Sequence, residues 1–295
     1  MLDVAQPALA ANLMTEHSTP SLAAEPTLSA EPRRDVVIAR RGAFAKLRAA
    51  RRALAMVLVT ILTCIAWGLG ATCLFWSRER RHGWRRILMR QWCRFGCLAL
   101  GIRVKVRGAL PRDAQYLVAN HLGYLDILVL GSQANAAFVS RADVENWPVI
   151  GWLAKQFDTV FLERSKKRDL PTVNAGLKER LERGEIIVMF PEGTSSSGEG
   201  LLPFRSPLLG PPSEHGSAVA AACLRYTTGK GDPDQMHCVA WWGEMEFAPH
   251  AAAMLSVSRI DAVIAFAPSA RRNADRKQLA ATLQQDVATL FDSIR

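Results

Sequence analysis

The sequence predicts an α/β domain whose mainly parallel sheet is flanked by helices and preceded by one N-terminal membrane helix and one amphipathic interfacial helix. From residue 101 onward, short β-rich runs alternate with helical patterns, as in parallel α/β sheets. A run of 24 residues without a charged side chain precedes that region, and the excess positive charge surrounds this run. The composition, 49% hydrophobic and 22% charged, excludes a wholly disordered chain.

Charge is distributed unevenly along the chain. Residues 1–32 have four acidic and no basic side chains and are rich in Ala, Pro and Thr, which predicts a disordered tail. The first residues also lack the basic and apolar regions of a signal peptide. Residues 33–108 contain 18 basic and 2 acidic side chains, whereas residues 109–295 contain 19 basic and 21 acidic ones. The excess of basic side chains that gives the net charge of +10 therefore lies in residues 33–108, one quarter of the chain. This quarter begins with a predicted basic juxtamembrane segment at residues 33–52.

The uncharged run, residues 53–76, is long enough to cross a membrane, because a helix needs roughly 20 apolar residues to span the hydrocarbon core. A buried core helix is the alternative, and the arginine clusters on both sides of the run disfavour it. Residues 33–52 carry eight Lys and Arg side chains and residues 78–94 carry seven, so the positive-inside rule gives no orientation. Gly68 and Gly70 leave open a re-entrant helix with both ends on one side.

Residues 78–100 predict a basic amphipathic helix in the headgroup region of the membrane. Arg86, Arg90 and Arg94 follow one another at a spacing of four on one face. The apolar residues recur at helical spacing on another face: Trp84, Ile87, Leu88, Trp92, Phe95 and Leu98. Nucleic acid is the competing partner for interleaved Arg and Trp, and the adjacent membrane segment disfavours it.

Residues 101–295 form the predicted α/β domain. The predicted strands are Arg103–Arg107, Tyr116–Asn120, Ala137–Ser140, Thr159–Leu162, Ile186–Phe190, Val219–Tyr226, Cys238–Trp241 and Ala262–Phe266. The predicted helices include Asp169–Arg183 and Asp275–Ile294. Active sites in such sheets form beyond the carboxyl ends of the strands, which directs attention to the residues that follow each strand.

The first unusual strand end is the sequence Asn-His-Leu-Gly-Tyr-Leu-Asp at residues 120–126. His121 follows a strand, and Asp126 falls in the first turn of the next helix. This spacing can place a carboxylate against the imidazole and make the other ring nitrogen a general base. A solvated or helix-capping pair of the same residues is the alternative, since the spacing alone is weakly specific.

The second unusual strand end is the sequence Phe-Pro-Glu-Gly-Thr-Ser-Ser-Ser-Gly at residues 190–198. A loop of Gly and Ser that leaves a strand can present backbone N–H groups to an anion or a developing oxyanion. An ordinary polar surface loop is the alternative. The loop is not a nucleotide P-loop, because no Gly-x-x-x-x-Gly-Lys pattern is present.

Together these two sequences resemble the lysophospholipid acyltransferase family, typified by 1-acylglycerol-3-phosphate O-acyltransferase. The family's Asn-His-x-x-x-x-Asp block matches residues 120–126, and its Phe-Pro-Glu-Gly-Thr block matches residues 190–194. Its aromatic-x-x-Arg block is similar to residues 161–164, which end in Arg164. Its fourth block usually contains Pro, and the similar residues 219–226 have none. The resemblance covers roughly residues 100–270.

The resemblance implies roles for the matched residues and for the partners. His121 would deprotonate the hydroxyl of a lysolipid acceptor such as 1-acylglycerol-3-phosphate, giving phosphatidate, and Asp126 would orient His121. The acyl donor would be a thioester of acyl carrier protein or coenzyme A. The residues implied to hold the acceptor head are Arg164, Glu192, Gly193, Thr194 and Ser195. The resemblance implies no cofactor and no metal, and it places the catalytic domain on the cytoplasmic side of the cell inner membrane.

Ser195 marks a departure, because many relatives with a phosphate-headed acceptor have Arg at this position. A hydroxyl supplies a weaker, neutral bond to phosphate, which Arg164 or Arg205 could supplement. The Thr-Ser-Ser form and residues 242–250 resemble a subgroup that contains lyso-ornithine-lipid acyltransferases. His250, the last residue of that stretch, is expected to be structural.

The sequence disfavours three other functions. A non-catalytic membrane lipid-binding protein is disfavoured, because both His121 and Asp126 are present. A serine lipase would need a Gly-x-Ser-x-Gly sequence, which the chain lacks. A metalloenzyme is disfavoured because no His-Glu-x-x-His is present and the other His and Cys residues are scattered.

Overall fold

The structure, a computed structural model, describes residues 37–40, 42–146, 150–156, 159–162 and 170–295. The predicted tail at residues 1–32 lies outside these ranges. Within them, seven strands form one sheet in the order β1-β7-β6-β2-β5-β3-β4. The strands are β1 (Ile102–Arg107), β2 (Tyr116–Ala119), β3 (Ala136–Arg141), β4 (Val160–Leu162), β5 (Ile186–Met189), β6 (Val219–Thr228) and β7 (Ile260–Phe266).

Five neighbouring strands of the sheet run in one direction. β2 pairs in parallel with both β5 and β6, and the parallel pairing continues from β5 to β3 and β4. β7 is antiparallel to β6 and parallel to β1, so these two strands run the opposite way. The mainly parallel sheet is therefore confirmed, and the carboxyl ends of β2 and β5 meet at one edge.

Helices cover both faces of the sheet. They are α1 (Ala43–Cys73), α2 (Arg78–Leu100), α3 (Leu125–Gln133), α4 (Ile150–Gln156), α5 (Leu170–Glu182), α6 (Gly210–Glu214), α7 (Gln235–Cys238), α8 (Phe247–Ser256) and α9 (Arg276–Ser293). One apolar core lies between the sheet and α2, α3 and α8, and a second lies between the other face and α5 and α9. All four residues of β2 are buried, as expected for a central strand covered on both faces.

Seven of the eight predicted strands are present, with bounds that differ by one or two residues, and the eighth is wrong. The segment Cys238–Trp241, predicted as a strand, contains the end of α7 followed by a turn. The N–H groups of Val239 and Ala240 both donate to the carbonyl oxygen of Gln235, at 2.8 and 2.9 Å. This apolar run is buried as part of the core, and burial rather than sheet pairing explains its composition.

The helix α1 is the one helix in the described part of the chain that is long and apolar enough to cross a membrane, with a mean hydropathy of 2.2 over its most apolar window. It begins ten residues before the predicted apolar run and forms an antiparallel hairpin with α2. Trp92 Nε1 donates to Thr60 Oγ1 at 3.1 Å, and Trp84 Nε1 donates to the Ala66 carbonyl at 3.0 Å. Gly70 permits this packing, because a Cβ at that position would lie 1.8 Å from Trp84 Nε1.

The predicted apolar face of α2 divides into two. Leu88 and Trp92 are buried in the core, whereas the remaining large apolar side chains of the outer face are exposed: Ile87, Phe95 and Leu98. Cys93 and Cys97 are also buried, in keeping with apolar packing. The helix therefore packs on the domain along one face and leaves a second apolar face uncovered.

The arginines of the basic face of α2 contact the domain, while the prediction that α2 lies in the headgroup region stays a prediction. Arg90 Nε and Arg94 Nε donate to the Ser132 carbonyl near the end of α3, at 3.5 and 3.2 Å. Arg86 donates to the Arg183 carbonyl just beyond α5. Cations at the carboxyl ends of helices satisfy terminal carbonyls and interact favourably with the helix dipole. These arginines therefore fasten α2 to the α/β domain.

Candidate active site

The loop after β2 begins with a buried amide that takes the place of strand pairing. Asn120 Nδ2 donates to the Leu224 carbonyl at 3.0 Å, and Leu224 N donates to Asn120 Oδ1 at 2.8 Å. This pair of bonds extends the contact between β2 and β6 by one residue while the main chain turns away. The loop that follows therefore leaves the sheet at a fixed point and leads into α3.

A buried carboxylate and a histidine form the centre of this loop. His121 Nδ1 lies 2.7 Å from Asp126 Oδ2, and the N–H groups of Leu122 and Gly123 donate to the same oxygen at 2.7 and 3.1 Å. The hydroxyl of Tyr226 donates to Asp126 Oδ1 at 2.8 Å. Since an ionised carboxylate only accepts, the His121 proton is assigned to Nδ1, and Nε2 is left unprotonated. The geometry is that of an oriented general base.

The His121 ring is held on its face as well as at its nitrogen. It stacks on Phe190, with ring centroids 4.1 Å apart and planes inclined by 19°. Its side chain is 25% exposed, so it is open to a substrate from one side. No hydroxyl or thiol of the described residues hydrogen-bonds to its Nε2, so the base has no nucleophile of the protein's own to activate.

Glu192 belongs to the loop after β5 and connects it to the loop after β2. It is buried, and its two oxygens accept from His121 N and Leu202 N, each at 3.1 Å. Burial raises the pKa of Glu192 to about 8, and the charge of Asp126 adds to the shift, while the two backbone hydrogen bonds oppose it. Gly193 follows with a φ of +77°, a conformation that favours glycine.

The serines after Gly193 bind backbone groups of neighbouring segments. Ser196 N donates to the His121 carbonyl at 2.8 Å. Ser195 Oγ donates to the Trp241 carbonyl at 2.5 Å, and Trp241 N donates to the Leu122 carbonyl at 2.8 Å. Ser195 therefore connects the two loops through Trp241, while Thr194 is exposed at the surface.

Arg164, predicted to hold the acceptor head, lies outside the described residues. Phe161, which begins the same sequence block, lies in β4, a strand that ends at the same edge as β2 and β5. Arg205, considered as a substitute, is exposed, and its N–H donates to the Pro191 carbonyl at 2.8 Å. The structure thus brings His121, Asp126 and residues 192–195 together and leaves Arg164 a prediction.

Sequence reasoning missed Tyr226, which lies 100 residues from its partner Asp126, and Trp241, which lies 46 residues from its partner Ser195. Both lie in apolar runs whose composition predicts strands. His250, expected to be structural, is fully buried: its Nε2 donates to the Ala240 carbonyl, and its Nδ1 accepts from Tyr124, both at 3.0 Å. Burial lowers the pKa of His250 to about 4, so it is neutral at physiological pH. Both of its ring nitrogens therefore form hydrogen bonds within the core, as expected for a structural histidine.

The fold and the site place a His–Asp pair at the carboxyl edge of a mainly parallel sheet, beside the loop after β5. The acyltransferase family model matches residues 102–209, which include both loops. The lyso-ornithine lipid O-acyltransferase of Rhizobium meliloti is 34% identical over 254 residues, which cover 82% of this chain and 86% of the relative. The chain therefore belongs to the acyltransferase family, and it is an acyltransferase.

The chain is also similar to a shorter stretch of a second relative and to a solved structure. A 1-acyl-sn-glycerol-3-phosphate acyltransferase of Neisseria gonorrhoeae is 35% identical over 136 residues, which cover 45% of this chain and 53% of the relative. The crystal structure of the 1-acyl-sn-glycerophosphate acyltransferase PlsC from Thermotoga maritima superposes with a TM-score of 0.61 at 17% identity, covering 84% of this chain and 97% of that one. The second comparison supports the fold.

Proposed function

We propose that this enzyme transfers a fatty acyl group from a thioester donor to the free hydroxyl of a lysolipid, and that the acceptor is lyso-ornithine lipid. The observation that carries the reaction is the His121–Asp126 pair, because the His121 side chain is 25% exposed and its Nε2 has no hydrogen-bond partner among the described residues. The relative from Rhizobium meliloti, which matches over most of both chains, supports the acceptor.

In the proposed reaction, His121 Nε2 takes the proton of the acceptor hydroxyl as its oxygen attacks the thioester carbonyl. A tetrahedral oxyanion forms, and its collapse makes the C–O ester bond and breaks the C–S bond. The leaving thiolate receives the proton from the imidazolium. The carboxylate of Asp126, 2.7 Å from Nδ1, stabilises the positive charge that His121 carries between the two proton transfers.

The loop after β5 offers donors for the oxyanion. The Gly193 N–H already donates to the Phe190 carbonyl at 3.0 Å. The N–H groups of Thr194 and Ser195 have no hydrogen-bond partner among the described residues. Backbone N–H groups at a loop of this kind stabilise developing negative charge without reorganising. We assign the oxyanion to these two donors, with the Thr194 hydroxyl free to contact the acceptor.

The charge around the site favours an acceptor head with an ammonium group over a phosphate. Residues 192–205 and 232–258, which are joined by the Ser195–Trp241 bond, contain six acidic side chains and one basic side chain, Arg205. Glu192 is mostly protonated at neutral pH and Asp232 pairs with Arg40, so four acidic side chains remain to set the local charge. The Ser195 hydroxyl already donates to Trp241. A phosphate head would need cations here, whereas the side-chain ammonium of ornithine suits acidic surroundings. A 1-acylglycerol-3-phosphate acceptor is the second candidate, supported by the Neisseria relative.

We further propose that the α1–α2 hairpin binds the membrane from one side. Arg52 of α1 donates to the carbonyls of Val257 and Ser258, at 2.7 and 3.1 Å, so the start of α1 is fixed to the domain. The end of α2 leads directly into β1. The outer face of α1 exposes a continuous apolar strip: Leu54, Val57, Leu58, Ile61, Leu62, Ile65 and Leu69. Such a strip on a hairpin whose two ends meet the domain suits insertion into one leaflet rather than a single crossing.

The solubility of the acyl donor indicates on which side of the membrane the catalytic domain lies. Thioesters of acyl carrier protein and coenzyme A are soluble cytosolic molecules, and we propose that the catalytic domain lies on the cytoplasmic side of the inner membrane. The exposed apolar strip of the hairpin would then hold the site at the membrane surface, where the lysolipid lies. The site would remain accessible to the soluble acyl donor.

The test is an acyl-transfer assay with membranes that contain the wild type, His121→Ala or His215→Ala. His215 is an exposed histidine that follows α6 and precedes β6, at the opposite edge of the sheet from the site. Labelled acyl carrier protein and acyl-coenzyme A serve as donors, and lyso-ornithine lipid and lysophosphatidate as acceptors. We expect transfer to lyso-ornithine lipid that is lost in His121→Ala and kept in His215→Ala.

The other outcomes separate the parts of the proposal. Turnover of lysophosphatidate alone would contradict the acceptor and leave the reaction standing. Full activity of His121→Ala would contradict the assignment of the base. Binding of lysolipid without turnover of either acceptor would contradict the enzymatic proposal and favour a lipid-binding protein.

A further inference from the structure

Tyr226 is a buried side chain from a distant strand that contacts the His–Asp pair. Its ring is 1% exposed, and its hydroxyl donates to Asp126 Oδ1 at 2.8 Å. Burial and the neighbouring negative charge of Asp126 raise the pKa of Tyr226 well above its ordinary value. The hydroxyl therefore keeps its proton at neutral pH and remains a donor to Asp126.

The length of β6 places Tyr226 at this point. The pairing between β2 and β6 ends at Ala119 and Ala222, where β2 turns into the catalytic loop. β6 continues to Thr228, supported on its other side by antiparallel pairing with β7. Side chains alternate along a strand, so Tyr226 faces the same side as Ala222, toward α3 and Asp126. A strand that stopped with β2 would not reach the carboxylate.

We propose that Tyr226 is a positioning residue of the catalytic site, which holds the Asp126 carboxylate so that its Oδ2 faces His121 Nδ1. Oδ2 accepts three N–H donors from the loop, whereas the hydroxyl of Tyr226 is the donor that the described residues provide to Oδ1. Asp126 is fully buried, so water does not replace a missing partner. The role is independent of the acceptor and holds for either lysolipid.

Few ionisable groups surround this contact. Asp126 of α3 and Cys97 of α2 face the Tyr226 hydroxyl. His121 faces Asp126 from its own loop, and Glu192 faces it from the loop after β5. Of these groups, His121 is the one that takes up and releases a proton in the reaction. Removing the Tyr226 hydroxyl leaves more negative charge on Asp126, which holds the imidazolium proton more tightly.

The chain contains three tyrosines, which provide matched Tyr→Phe variants. Tyr116 is fully buried in β2, packs in the core on the other face of the sheet, and has no partner for its hydroxyl among the described residues. Tyr226→Phe and Tyr116→Phe therefore remove the same atom from equally buried rings. The first removes a hydrogen bond to the catalytic pair, and the second removes none.

The experiment measures acyl transfer against pH for the wild type and both variants, with whichever lysolipid the wild type acylates. We expect Tyr226→Phe to lower kcat about 10- to 100-fold, because a carboxylate without its Oδ1 donor no longer holds His121 in the orientation for proton transfer, and a misplacement of about 1 Å costs about 100-fold. KM should be unchanged for both substrates. We also expect the acid limb of its pH–rate profile to move to higher pH by about half a unit or more. Tyr116→Phe should match the wild type within about twofold.

Replacing Tyr226 with 3-fluorotyrosine provides a second measurement that keeps the shape of the ring. The fluorinated phenol is a stronger donor, so the acid limb should move to lower pH, opposite to the shift in Tyr226→Phe. If Tyr226→Phe does not fold, the fluorotyrosine protein decides the question alone. Two results would overturn the proposal. One is an acid limb of the pH–rate profile that fluorination leaves unchanged. The other is a folded Tyr226→Phe protein whose kcat and pH profile equal those of Tyr116→Phe.

Discussion

Replacing Asp126 with Asn tests the His–Asp pair with the smallest change of shape. The three N–H donors around Oδ2 require an acceptor, so the amide oxygen of Asn would take that place. Its NH2 group would then face the Tyr226 hydroxyl, which can accept in place of donating. The local hydrogen bonds therefore survive, and what the variant loses is the negative charge beside His121.

The size of this loss follows from the geometry. The charge centres of an imidazolium and a carboxylate joined by a 2.7 Å hydrogen bond lie about 4 Å apart, which is worth about 4 kcal/mol at an effective dielectric constant of about 20. Each 1.36 kcal/mol corresponds to about tenfold in rate, so kcat should fall about a thousandfold. The charge is stabilising only while His121 carries the proton, so the loss affects the reaction more than binding.

The assay is acyl transfer at saturating donor and acceptor, with thermal unfolding in detergent as the test of folding. Asp286→Asn is the matched control, because Asp286 pairs with Arg271 at 2.8 Å on the surface of α9. That variant should change stability by no more than about 1 kcal/mol and leave activity intact. An Asp126→Asn protein that is folded and loses less than about tenfold in kcat would refute the reasoning.

Three other changes have defined outcomes. Ser195→Ala removes the hydrogen bond to the Trp241 carbonyl and should raise KM for the acceptor several-fold, while KM for the donor stays constant. Ser195→Thr keeps the hydroxyl and should retain activity. Equal changes in both KM values would contradict this prediction. The depressed pKa of His250, about 4, means that the unfolded chain binds a proton below pH 6.5 that the folded chain does not, so stability falls as the pH drops from 6.5 toward 4. At pH 5 urea unfolding should show a loss of about 2 kcal/mol that is absent in His250→Gln. The double variant Leu58→Asp, Ile65→Asp should reduce sedimentation of the protein with anionic vesicles. It should not lower Tm in detergent, because both side chains are exposed. The control Val106→Asp, at an exposed position of β1, should bind the vesicles as the wild type does.

Much of the fold and part of the site could be predicted from the sequence. The alternation of strands and helices indicated the parallel sheet, and seven strands lie where the sequence placed them. The spacing of His121 and Asp126 is local, since both belong to one loop and the first turn of α3. The strand predicted at Cys238–Trp241 was wrong, because an apolar composition reports burial and does not distinguish a strand from a buried turn.

The sequence by itself predicted the His121–Asp126 pair, because a histidine and a carboxylate five residues apart are brought together by local geometry. Only the tertiary structure decided which groups hold them in place. Tyr226 and Trp241 come from segments further along the chain: β6 continues past the end of β2 and brings Tyr226 to Asp126, and the turn after α7 brings Trp241 to Ser195. The tertiary structure also decided that the arginines of α2 bind helix ends, since helical spacing places them on one face but does not indicate what that face contacts. Contacts between distant segments depend on sheet order and packing, which no local pattern encodes.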